Sequence, residues 1–309
     1  MNEAESRVVE MPKLSIVIGA NNARSTIREC LTVLQNQLTG GEVEIIVVDN
    51  STDGATEIVS KQFPGVRLIR SPESAFIPEL WEIGINHSMG EIVALTTAHC
   101  VPKENWLAEI SQAHDSFYPG IGGAIEIEES SGWIDWAVYF CRYSRYMLPF
   151  AKERVTDFAA DNASYKRWAL ESCREQRRKG FWEPFIHAEL IRAGYELLLS
   201  PEIVVYHKRS FSLPGFMEQR FWHGRQFGSE RTANLSLIKR LIYIMAAPLI
   251  PVLFLWRIIR RALAKKRHIG KLLLCSPLLI LFLLCWATGE ASGYLYPQKE
   301  TGKPLVEAR

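Results

Sequence analysis

An acid that closes an apolar strand is the first candidate for chemistry. The run Val43–Val48 ends on Asp49 and continues through Asn50-Ser51-Thr52-Asp53-Gly54. A carboxylate in that place must find donors. The imide N–H of a uracil base or ribose hydroxyls would serve, and so would the backbone of a tight reversal, which favours these same residues. Glu183 is the second candidate. Phe181, Trp182 and Phe185 around it would strip water from the carboxyl and raise its pKa toward the range of a general base. An acid just before Pro184 equally suits the positive end of a helix. His187 follows four residues on, on the same helical face and within reach of Glu183. Arg220 and Arg225 carry forked guanidinium groups of the kind that hold a diphosphate; a solvated basic face is the plainer alternative. Trp133, Trp136, Tyr139 and Tyr143 have the rings to stack a sugar, but core packing is the better use of four such aromatics.

These residues need elements to position them. Leu14–Ile18, Val43–Val48, Val66–Ile69 and Ile92–Leu95 read as strands. Between the first two, Ile27, Cys30, Leu31, Leu34 and Leu38 recur at helical spacing behind Ser25 and Thr26. Alternation of this kind predicts parallel βαβ units in a sheet covered on both faces, with ligands at the carboxyl ends of the strands. Gly19–Asn22, Asp49–Asp53 and Thr96–Cys100 occupy those ends. Neither G-x-G-x-x-G after the first strand nor G-x-x-x-x-G-K-[ST] is present, which removes the dinucleotide and P-loop phosphate cradles. Further on, Gly122–Ile127 reads as a strand, Trp133–Tyr146 has no clear period, and Phe181–Ala193 is helical. Leu197–Leu199 and Ile203–Tyr206 read as two strands around Pro201, and Leu213–Phe227 as a helix.

Charge divides the chain. The net charge of +2 combines 12 basic and 3 acidic residues in 236–309 with 24 and 31 in residues 1–235. An acidic body with a basic, apolar tail argues against nucleic acid as a partner and for a membrane surface. Two apolar blocks of 16 residues, Leu241–Trp256 and Leu272–Ala287, would each rise about 24 Å as helices, short of the roughly 30 Å hydrocarbon layer. Arg257, Arg260, Arg261, Lys265, Lys266, Arg267 and Lys271 between them, without an acid, predict a monotopic or re-entrant hairpin at the cytoplasmic face. The alternative is a buried hairpin of a soluble fold. Six cysteines without a C-x-x-C pair and a charged N-terminus predict reduced thiols.

Taken in order, Leu14–Asn22, Glu44–Gly54, Gly90–Leu95, Cys100–Leu107, Asp161–Arg167, Arg192–Tyr195 and Pro201–His207 resemble the family 2 glycosyltransferases of the GT-A fold. The resemblance covers residues 13–230. It implies an α/β fold, a mostly parallel nucleotide-sugar-binding sheet sandwiched by helices, here followed by a membrane-associated helical hairpin. The implied domains are an extension (1–12), a GT-A domain (13–235) and the tail (236–309). It implies a nucleotide-sugar donor held by Asn22, Asp49, Asp53, Thr97, His99, Arg220 and Arg225, the last two in an element similar to the Gln-x-x-Arg-Trp of processive relatives. Glu183 falls at the position of the catalytic base, with Asp161, Asn162 and His187 on the acceptor side.

One departure is notable. The family's Asp-x-Asp, which holds a divalent metal, falls on Thr97-Ala98-His99. Relatives with Asp-x-His and a second histidine imply His99 and His207 as ligands of Mg²⁺ or Mn²⁺; the alternative is a site that has lost metal binding. The implied activity is an inverting sugar transfer to a lipid-linked or saccharide acceptor in envelope or exopolysaccharide synthesis. The other possibility is an inactive relative that binds the polysaccharide machinery at the membrane.

Overall fold

The computed structural model describes residues 12–38, 42–73, 75–178, 180–232 and 235–297. Residues 1–11, nearly all of the expected extension, lie outside them. The chain opens with β1 (Leu14–Ala20), α1 (Ile27–Gln35), β2 (Val43–Asp49), α2 (Ala55–Gln62), β3 (Arg67–Arg70), α3 (Ile77–His87) and β4 (Ile92–Thr97). Every residue of β1 is buried, as a continuous apolar run requires when helices cover both faces. In α1 the buried set is Ile27, Cys30, Leu31 and Leu34, a single helical stripe.

Then follow β5 (Cys100–Pro102), α4 (Trp106–His114), β6 (Gly120–Ile127), α5 (Trp133–Tyr143), β7 (Glu153–Val155), β8 (Asn162–Lys166), α6 (Arg167–Ser172), α7 (Arg174–Arg177), α8 (Glu183–Arg192) and β9 (Leu197–His207). The described strands form one sheet in the order β3-β2-β1-β4-β8-β6-β9-β5, with β7 also on β9. β1 to β4 are mutually parallel, while β8 runs antiparallel to β4. Helices α9 (Leu213–Thr232), α10 (Leu237–Ala246), α11 (Leu249–Lys265) and α12 (Ile269–Leu295) complete the chain.

Two expectations change. The two strands around Pro201 are one: β7 pairs with Leu197–Leu199 and β5 with Val205–His207, so Pro201 falls between the ladders, where neither strand needs its N–H. The aperiodic aromatic segment is a helix, α5.

Packing divides the chain into two units, Met1–Ala124 with Ala151–His207, and Ile125–Phe150 with Lys208–Arg309. α5 and α9 belong to the same unit as the helices of the tail. In the second unit α9 and α12 touch backbone to backbone. A Cβ on Gly289 would stand 2.0 Å from the Phe221 carbonyl oxygen, and one on Gly228 2.3 Å from that of Glu290. Gly224 and Gly293 meet the partner helix in the same way, so each helix contributes a G-x-x-x-G face.

The apolar block 272–287 belongs to a 27-residue helix that continues through Pro277. At about 1.5 Å per residue it reaches about 40 Å, which corrects the short reading: α12 is long and apolar enough to cross a membrane. α10 and α11 form a pair bent by 59°. The basic segment, expected to form a loop at the cytoplasmic face, is partly spent inside its own unit. Arg267 pairs with Glu126 at 3.0 Å, Lys271 with Glu129 at 2.6 Å, and Lys265 donates to the carbonyls of Arg145 and Met147.

Candidate active site

Strand register brings the predicted positions to one edge of the first unit. Ala20 pairs with Asp49, Asp49 with Arg70, and Gly19 with Thr97. Thr96 pairs with Asn162, so the start of antiparallel β8 joins the carboxyl ends of β1, β2 and β4. β1 and β4 are neighbours whose crossovers lead to opposite sides, a switch point where α/β sheets open a crevice.

On the β2 side the loops are cross-linked. Asp49 is fully buried. One of its oxygens accepts the Ser51 N–H at 2.8 Å, and the other accepts the Thr56 hydroxyl at 2.5 Å and the Arg70 guanidinium at 2.8 Å. Three of the roughly four acceptor positions of Asp49 are taken by Ser51, Thr56 and Arg70, so it ties the end of β2 to α2 and β3. Asp53 accepts the Arg24 N–H at 2.8 Å and the Ala55 N–H at 3.1 Å, tying the β1–α1 loop to the start of α2. Asn22, exposed and at φ 46°, accepts the Thr52 N–H at 3.3 Å through its carbonyl oxygen, which leaves its amide N–H₂ to a ligand. Asn21 and Asn50 join the same network at 3.0 Å.

At the Asp-x-Asp position Thr97 and His99 are buried. The His99 ring is held at both ends, Nδ1 by the Thr26 hydroxyl at 3.2 Å and Nε2 by the Asn21 carbonyl at 3.0 Å. Since a carbonyl only accepts, Nε2 carries the proton and Nδ1 accepts. His207 pairs with Cys100, so the two histidines do share this edge. Yet no group of three His, Cys, Asp or Glu side chains among the described residues is placed to hold a metal ion. A divalent cation needs free lone pairs from several ligands, and this donor set does not fit one.

Glu183 sits at the first turn of α8, behind the Trp182 N-cap. The segment before it is anchored on α3: Arg177 pairs with Glu82 at 2.6 Å, and the Phe181 N–H donates to the Pro78 carbonyl at 2.8 Å. Loss of solvent pushes the Glu183 pKa up to about 7, helped by the negative charges of Asp161 and Asp157, while the backbone N–H groups of Glu183 and Ala160 pull it down. Desolvation therefore outweighs the helix N-terminus, which alone would favour the ionised form.

His187 does not bond Glu183. Buried one turn on, it is held by Asp157 at Nδ1 (2.7 Å) and by the Tyr165 hydroxyl at Nε2 (2.8 Å). It fixes Asp157 beside Glu183. Asp157 itself carries no motif and is invisible in the sequence. Asn162 is also corrected. Its oxygen accepts the Trp106 indole N–H at 2.9 Å and its N–H₂ donates to the carbonyls of Ala124 (2.8 Å) and Ile203 (2.9 Å), so its bonding capacity is spent on the sheet. Asp161, one residue earlier, stays with Glu183, and its carbonyl accepts the Thr96 hydroxyl at 2.9 Å. Arg220 and Arg225 lie on α9, in the second unit. Trp136, Tyr139 and Tyr143 are core, and Trp133 is exposed.

Known proteins resemble this chain in sequence or in fold. Glycosyltransferase AglE of Haloferax volcanii is 25% identical over 128 residues, a match spanning 40% of this chain and 42% of that one. The mannosyltransferase PcManGT from Pyrobaculum calidifontis, solved in complex with GDP-Man and Mn²⁺, shares the fold with a TM-score of 0.53 at 17% identity, over 91% of this chain and 88% of that one. The model of Glycosyl transferase family 2 matches residues 15–174, ending before Glu183. The sheet, parallel across β1 to β4 and antiparallel where β8 joins β4 and β6 and where β5 and β7 join β9, is mixed rather than mostly parallel. With its flanking helices it has the GT-A architecture, and the chain belongs to glycosyl transferase family 2.

Proposed function

We propose that this glycosyltransferase moves a sugar, with inversion, from a nucleotide-sugar donor to a lipid-linked or saccharide acceptor at the cytoplasmic face of a membrane. The observation that carries this is Glu183, a carboxyl whose pKa burial raises to about 7, beside Asp161 and Asp157. Such a group is ionised often enough to accept a proton and basic enough to keep it. Glu183 takes the acceptor hydroxyl's proton as that oxygen attacks the anomeric carbon, and the nucleoside diphosphate leaves from the opposite face. The nucleoside lies along the loops stapled by Asp49 and Asp53, against Asn22. The leaving diphosphate meets the N–H groups at the start of α1, whose dipole favours an anion. PcManGT binds GDP-Man and Mn²⁺; by likeness a nucleoside diphosphate sugar is the donor class here, while the residues around His99 support no metal-borne step. The exposed apolar residues of α10 to α12, among them Leu237, Met245, Leu249 and Leu273, support residence at a bilayer, and with it a role in envelope or exopolysaccharide assembly.

A second reading has its own support. With Asp49 and His99 both tied to protein partners, the same fold would suit a catalytically silent binder of the polysaccharide machinery. Donor hydrolysis separates the two. Purified full-length protein is incubated with UDP-, GDP- and dTDP-hexoses, and release of nucleoside diphosphate is followed for wild type and Glu183→Gln. Release that the substitution abolishes supports transfer; no release from any donor, with Glu183→Gln complementing in cells as wild type does, supports the binder.

A further inference from the structure

Where the family's acid would hold a metal, this chain has a strut. His99 stands between β4 and β5, and both of its flanks are fixed. The Ala98 N–H donates to the Gly19 carbonyl at 3.0 Å, and Cys100 pairs with His207 of β9. From that place the ring reaches both ends of the β1–α1 turn, the Asn21 carbonyl through Nε2 and the Thr26 hydroxyl through Nδ1. Thr26 is the N-cap of α1, yet its side chain makes no cap bond to the helix; it faces His99 instead. The turn is also held from the β2 side. The Asn21 side-chain N–H donates to the Asn50 oxygen at 3.0 Å, and the Asn50 N–H₂ donates to the carbonyls of Glu73 (3.3 Å) and Ala75 (2.6 Å). His99, Thr26, Asn21 and Asn50 are all buried, so the network runs under the sheet edge from the end of β4 through those of β1 and β2 to the segment before α3.

What this network shapes is Asn22, the residue after the carbonyl that His99 holds. Asn22 is exposed, and its φ of 46° lies in the left-handed region, uncommon for any residue with a side chain. Backbone in such a state persists where its surroundings over-determine it, and those places gather at ligand sites. Here the determinants are identifiable. His99 fixes the carbonyl of the Asn21–Asn22 peptide and so the plane of that peptide, while the Thr52 N–H holds the Asn22 side chain at 3.3 Å. An ionised aspartate in place of His99 has no proton to give the Asn21 carbonyl; the histidine does what the family's acid does not. We propose that His99 is a positioning residue for donor binding: it fixes the Asn21–Asn22 peptide and the start of α1 in the conformation that receives the donor nucleotide, and does so without a metal. The proposal rests on the nucleotide-sugar reading above and names a residue that serves it.

The test reads binding and needs no turnover. Full-length protein in detergent is titrated calorimetrically with UDP and with GDP in excess EDTA. His99→Ala should weaken the tighter of the two nucleotides about tenfold. His99→Gln, whose amide keeps one donor and one acceptor, should recover most of that loss. Asn22→Ala should weaken binding in the wild-type background and add little in His99→Ala, because the two act through one turn. Losses that add in full overturn the proposal, as does folded His99→Ala that binds as wild type does. Nitrogen NMR of the wild type keeps the proposal falsifiable if the variants do not fold: the His99 ring should be the Nε2–H tautomer, and an Nδ1–H tautomer overturns the strut. Wild type that binds neither nucleotide, by contrast, removes the donor reading and this proposal with it, so the two failures are distinguishable.

Discussion

Burial sets the acidity of Glu183, and two neighbouring carboxylates add to the shift. Asp161 and Asp157 both raise the Glu183 pKa, and Asp157 is held in place by His187, itself bonded to Tyr165. Removing the Asp157 charge lowers the proton affinity of Glu183 in folded protein, so Asp157→Asn should move the acidic limb of the kcat/KM profile to lower pH. A limb that stays put would make the Asp157–His187 contact purely structural. The ring of His99, bonded at both nitrogens, carries a second expectation: donor turnover should persist in excess EDTA, within about threefold of the rate with added Mn²⁺. Part of this site is legible from residue types. Glu183 and Asp161 can be picked out by their place in the family pattern, and the fold brings the two carboxylates close enough to interact. Asp157, in Val155-Thr156-Asp157-Phe158, has no pattern around it; only the folded chain brings it to Glu183. Asn162 misleads for the opposite reason, since a buried amide bridging strands looks in sequence like one that meets a substrate.

At the scale of elements, legibility follows burial. β1 and β2 declare themselves because both their faces are covered, leaving unbroken apolar runs. α5 does not: Trp136, Ala137, Val138, Tyr139 and Phe140 are all buried in succession, and a helix surrounded by partners shows no stripe. α12 is longer than its apolar block because it starts at Ile269 and runs on past Ala287 through Thr288, Gly289 and Glu290 to Leu295, residues whose polarity or small size ends the apolar run. Its pairing with α9 depends on glycine. Gly289→Val would drive a side chain into the Phe221 carbonyl, found 2.0 Å from the position of its Cβ. Overpacking against backbone should cost about 3 kcal/mol or more, read as a lowered Tm in detergent. Gly270, in the same helix, has nothing within 4 Å of its Cβ position, so Gly270→Ala should stabilise by up to about 1 kcal/mol. Equal effects at the two positions would remove close contact as the reason for the glycines.

For the whole molecule, charge and apolarity are segregated along the chain, and that split is visible before any fold is known. What composition hides is the use of the basic segment, since Lys265, Arg267 and Lys271 are turned to their own unit. The proposed membrane attachment then rests on the exposed apolar faces, so Met245→Glu with Leu249→Glu should abolish flotation with neutral phosphatidylcholine vesicles; flotation by the double variant at wild-type level would contradict that attachment. The claim on which the functional account turns is that Glu183 is the proton acceptor of sugar transfer. Its most direct test is the pH dependence of kcat/KM for nucleotide-sugar turnover, wild type against Glu183→Gln. The account predicts that wild-type kcat/KM rises with pH, because only the ionised carboxylate accepts a proton, and levels off above about 7. In Glu183→Gln it should fall by about 10²- to 10⁴-fold and lose the rise. A Glu183→Gln enzyme that turns over donor at the wild-type rate with the same limb would contradict it.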